Sequence, residues 1–156
     1  GRETLSRALP RGSGPPWIPI IGGGVLLFHT FSSQEERRKF GGSDFLEIQF
    51  CRMPPKTDLE IIIAVDSIHH WLNDSLYISG DDDNTFMQAY DDIFDCGIYN
   101  NLETGAIDPC GINYYGPDLI DPIIAKLLDI KPADHEKLVE WLNTAKKYNG
   151  FYILGV

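Results

Sequence analysis

Between residues 57 and 129 this 156-residue chain has one basic side chain, Lys126, against fifteen acidic ones, a net of −14. That shortage of cations excludes the stretch as a phosphate-backbone surface, because DNA or RNA would be repelled rather than steered in. Cysteine is also scarce. Cys51, Cys96 and Cys110 are odd in number and widely spaced, without a CxxC pair. This argues against a disulfide scaffold and suits a reducing compartment, the cytoplasm. Long apolar runs are missing too. The longest, WIPIIGGGVLLF at 17–28, has twelve residues and is broken by Pro19 and three glycines, where a spanning helix needs about 20. No apolar h-region follows the scattered arginines near Gly1, so neither a secretory signal nor a membrane partner is expected. The glycines at 22–24 belong to no GxGxxG or GK[ST] pattern, which removes the phosphate-loop reading.

What is present argues for a folded protein. Apolar residues make up 43% and aromatics 12%, more than intrinsic disorder would carry. A chain of this length fits one domain and buries about 70% of its unfolded surface. The formal net charge is −10, unevenly spread, since residues 1–40 carry six basic and three acidic groups. We divide the chain into a flexible basic N-terminal arm, 1–16, rich in Gly and Pro, and a single globular domain over 17–156.

Periodicity predicts the elements. VLLFHTF (25–31), LEIIIAV (59–65), SLYISG (75–80) and the closing FYILGV read as strands, the β-branched run at 59–65 as an inner one. FLEIQFC (45–51) alternates Phe45, Glu47, Gln49 and Cys51 against Leu46, Ile48 and Phe50, the period of a half-solvated strand. SSQE from Ser32 is a capping-box pattern opening a short helix that stops at Gly41 and Gly42. Asp121 and Pro122 read as N-cap and first helical residue of another. Leu138, Trp141, Leu142, Ala145 and Tyr148 share one face of a helix over 134–148. Residues 97–117 read as a long loop, a length often tied to function. The expected fold is α+β: a mainly antiparallel curved sheet packed against two or three helices.

The stretch YISGDDDNTFMQAYDDIFDCG, 77–97, holds six aspartates and no Lys or Arg. Asp81, Asp82 and Asp83 suit helix N-caps, where negative charge meets the positive end of the dipole. Phe86, Met87, Tyr90, Ile93 and Phe94 recur at helical spacing over 84–95 and predict a core-facing stripe. Asp91, Asp92 and Asp95 fall on the other side, toward the wrong end of the dipole. Stability does not favour that arrangement, so solubility or binding must account for it.

Candidate chemistry is thin. His69 and His70 are adjacent, not the i, i+4 pair of a zinc protease. DDDN lacks the glycine and glutamate of a calcium loop. Cys110 sits in a turn with acidic neighbours, which oppose thiolate formation. Neither a cofactor nor a metal is implied. Two functions follow. The first is an acidic protein-binding module, of the inhibitor or immunity type that neutralises a basic toxin or nuclease. Asp91, Asp92 and Asp95 would steer the basic protein partner, and Tyr99, Tyr114 and Tyr115 would anchor it. The alternative is a small hydrolase-like enzyme with its site near His69, His70 and the 105–116 loop.

Overall fold

Phe45–Phe50 (β1) is buried along its whole length, because helices cover one side of it and the 51–74 segment crosses the other. The half-solvated strand expected here is therefore corrected to an interior one, and Glu47 and Gln49 lie inside the protein. The computed structural model describes residues 26–41 and 44–155. The expected 1–16 arm and the glycines at 22–24 lie outside them.

Six strands form one curved antiparallel sheet: β1, β2 (Leu76–Ser79), β3 (Gly97–Ile98), β4 (Thr104–Gly105), β5 (Ile112–Tyr115) and β6 (Phe151–Leu154). Their spatial order is β2-β1-β6-β5-β3-β4. Register is set by pairs such as Ile48 with Leu76 and Ile153, and Tyr114 with Tyr152. Leu46, Ile48 and Phe50 enter the larger core with Ile78, Phe151, Ile153 and Tyr115. Three helices, α3 (Asp83–Tyr90), α4 (Ile120–Ile130) and α5 (His135–Ala145), pack on that face, and Leu27, Phe28, Ile93, Phe94 and Ile107 join the same core from the connecting segments. The opposite face packs Cys51, Tyr114, Tyr152 and Leu154 against Ile62 and Ile63. Together these give the single α+β domain that the periodicity predicts.

Several elements differ from expectation for identifiable reasons. The 59–65 run is not a strand but the short helix α2 (Leu59–Ile62) followed by a 3-10 turn. Ile62 and Ile63 face the sheet while Leu59, Ile61 and Val65 are exposed, so the run covers the sheet instead of joining it. Residues 26–31 form no strand beyond one bridge between His29 and Tyr77. The amides of Leu27 and Phe28 instead donate to the Asp134 carboxylate at 3.0 Å each. The presumed long loop contains β3, β4 and β5.

Helix ends moved as well. In α1 (Gln34–Gly41) the capping box uses Ser33 and Glu36, one residue later than SSQE suggests. Helix α3 ends at Tyr90, and none of the three aspartates at its start makes a side-chain cap. Ser79 Oγ accepts the Asp81 amide instead. Asp121 does not cap α4 either; it lies in the first turn, paired at 2.8 Å with Lys146. Helix α5 stops at Ala145, and Tyr148 follows it in a turn. Among the described residues no helix is long and apolar enough to cross a membrane.

Candidate functional site

The turn after α3 carries the first candidate. Phe94 and Ile93 donate their amides back to the Tyr90 carbonyl, which tightens the chain and buries both side chains. Asp92 and Asp95 are left exposed and Asp91 half-buried. All three follow the last helical residue, Tyr90, so they sit in the turn beyond the C-terminal end of α3. Among the described residues neither ion pair involves these three: Arg52 pairs with Asp74, and Lys146 with Asp121.

The tyrosines expected beside them are placed otherwise. Tyr115 has no exposed surface and donates its hydroxyl to the Phe94 carbonyl at 3.0 Å. Tyr114 is buried on the opposite face, donating to the Asn149 carbonyl at 2.6 Å. Adjacent residues of a strand point to opposite sides, and this sheet is covered on both, so neither ring reaches the surface. Burial pushes both phenols above their ordinary pKa. Tyr99 is half-buried, its hydroxyl bound to the Ala106 carbonyl. Of the six expected contact residues, the aspartates and Tyr99 remain accessible.

The second candidate is a groove between the 60–70 segment and the 100–112 segment. A cavity of about 450 Å³ is lined by Asp66, His69, His70, Asn100 and Cys110 over a floor of Ile68, Ile112 and Leu154. Next to it lies a cavity of about 300 Å³ lined by Glu60, Ile63, Asn101 and Leu102; the two share Val65 and Asn100. The fold thus gathers both histidines, Asp66 and Cys110, which their spacing alone does not do. Cys96 is elsewhere, packed against the larger core, and burial first, then Asp95, raises its thiol pKa. Asp108 shapes the Cys110 turn by accepting its amide at 2.9 Å. Among the described residues no hydrogen bond joins the Cys110 sulfur to either imidazole, and no three His, Cys, Asp or Glu side chains converge to hold a metal ion.

A buried polar chain runs behind this groove, and sequence reasoning missed it. Gln49 donates to the His69 carbonyl at 3.1 Å and accepts the His69 amide at 3.3 Å. Its amide nitrogen also donates to Glu47 at 3.0 Å, and the Tyr77 hydroxyl lies 3.1 Å from the same oxygen. Tyr77 in turn is bound to the backbone of Leu72. These contacts hold the 69–72 segment, and so one wall of the groove, against the sheet. Burial raises the Glu47 pKa despite the donors around it. The available signal was two polar residues alternating on one side of a strand, which reads equally well as a solvated face. No family model, curated protein or solved structure matches this chain.

Proposed function

We propose that the protein is an acidic protein-binding module that neutralises a basic partner, in the manner of an inhibitor or immunity protein directed at a toxin or nuclease. The observation that supports this reading is the turn that exposes Asp92 and Asp95 and half-exposes Asp91, within a stretch, residues 57–125, that has no lysine or arginine. A field of one sign accelerates encounter with the opposite sign and rejects polyanions. Tyr99 is the aromatic contact that this reading retains; Tyr114 and Tyr115 act from within the fold by holding the turn and the sheet together. Cytoplasmic residence fits the three free cysteines.

The test is kinetic. Capture from the native organism supplies the partner, and association is then timed by stopped flow across ionic strength. Replacing Asp91, Asp92 and Asp95 by asparagine should leave folding intact and slow association about tenfold at low salt, with a smaller change in dissociation. Equal rates at low salt remove the strip from the interface.

A second reading, a thiol hydrolase, draws on the cavity shared by Cys110, His69 and His70. An imidazole would take the thiol proton, the thiolate would attack a carbonyl carbon and break its bond to the leaving group, which takes that proton, and water would then hydrolyse the thioester and restore the thiol. Alkylation of Cys110 at neutral pH should then slow in His69→Ala or His70→Ala. Unchanged alkylation in both variants discards this reading.

A further inference from the structure

The paired cavities form a groove whose lining includes no lysine or arginine. Two acidic side chains, Glu60 and Asp66, line it, and two large apolar side chains stand out beside them: Val65 is 68% exposed and Leu102 48%. Leu102 is informative for its backbone too. It closes the β3–β4 hairpin, donating its amide to the Tyr99 carbonyl at 2.9 Å, while the Tyr99 amide donates to Glu103 at 2.8 Å. At this position of such a hairpin the chain turns left-handed and glycine is the usual occupant. Leu102 adopts φ 74° there, strained for a bulky side chain and unrewarded by burial. Neither the backbone conformation nor burial favours a leucine at that point.

We propose that this groove docks an extended segment of a basic protein. Apolar side chains of that segment would pack on Val65 and Leu102, and its lysines or arginines would face Glu60 and Asp66. Charge complementarity selects this occupant over an anion, and the exposed apolar pair selects it over a purely polar one. The inference rests on the reading of the protein as a binder of basic partners and assigns it a second surface, apart from the Asp91–Asp95 turn.

The full chain is titrated into a labelled synthetic peptide alternating lysine and valine, followed by fluorescence anisotropy over a range of salt. Leu102→Gly and Val65→Ser should each weaken binding about fivefold or more, while Leu102→Gly raises the melting temperature because its backbone strain is relieved. Glu60→Gln combined with Asp66→Asn should weaken binding and flatten its salt dependence. The proposal is overturned by no binding up to about 1 mM peptide, or by equal binding when serine replaces valine or glutamate replaces lysine. Self-association of the protein abolished by the same variants would seat a second copy in the groove and overturn it as well. If the Asp91, Asp92 and Asp95 variant alone loses the peptide, the groove fails while the basic-partner reading stands.

Discussion

The indole of Trp141 lies flat on the ring of Phe50, with centroids 4.0 Å apart and planes 6° from parallel. Tyr148 stacks on the same phenyl ring at 4.4 Å, and the indole nitrogen donates to the Asp74 carbonyl at 2.8 Å. One residue thus ties α5 to the central sheet and to the segment leading into β2.

Trp141→Ala should destabilise the fold by about 3–5 kcal/mol, through lost transfer energy and the cavity left behind. Urea unfolding followed by circular dichroism measures this directly. A loss below about 1 kcal/mol would mean that the stack contributes little to stability.

Helix α5 was legible in the sequence because its apolar residues repeat at helical spacing and no other element competes for them. β1 was legible from alternation, but not its burial. Alternation marks two faces and does not say what covers each, and here the 51–74 segment covers the face bearing Glu47. The 59–65 run misleads because β-branched residues favour strands, while its exposed Ile61 and buried Ile62 and Ile63 follow a helical turn. β5 hid among glycine, asparagine and tyrosine; four residues are too few for a period to declare itself. The groove was beyond reach of local pattern, since its walls lie far apart in sequence and meet only when β6 joins β1, which holds the His69 wall, to β5.

Glu47 makes a pH prediction. Burial holds its carboxyl above the ordinary value of 4.5, opposed by Gln49, Tyr77 and the more distant charge of Arg37. The folded protein keeps this proton at pH values where the unfolded chain has released it. This group's contribution to stability therefore declines as pH rises from 4.5 through the higher folded value, and is level above it. Glu47→Gln should remove that decline and leave the protein at least as stable as wild type at neutral pH. Urea midpoints measured from pH 4 to pH 8 for both proteins decide it; parallel curves would show that Glu47 titrates alike in both states.

Gly150 has φ 88°, and a Cβ there would run into the Tyr115 carbonyl oxygen. Gly150→Ala should cost about 2–4 kcal/mol, from left-handed strain and from the push on β5. Thermal unfolding reports the loss; a melting temperature equal to wild type would contradict this close approach.

Asp134 satisfies two backbone amides at once, those of Leu27 and Phe28. Asp134→Ala should destabilise by about 1–3 kcal/mol and speed hydrogen exchange at those two amides. Asp134→Asn, which keeps one acceptor oxygen and tolerates the positive φ, should recover part of both. Unchanged exchange in the alanine variant would show that those amides do not depend on Asp134.

The position of β6 has a consequence for synthesis. Among the described residues it is the last strand in chain order, yet it lies between β1 and β5. Until residues 151–154 have emerged from the ribosome, the sheet exists only as two ribbons, β1 with β2 and β3 with β4 and β5, which share no pairing. Each ribbon then presents an open edge, one at Ile48 and the other at Tyr114, that among the described residues only β6 closes. The sheet therefore cannot be completed stepwise from the N-terminal side as translation proceeds, because both halves need the strand at 151–154. During that wait the excess of aspartates is the protection against aggregation that the sequence itself carries.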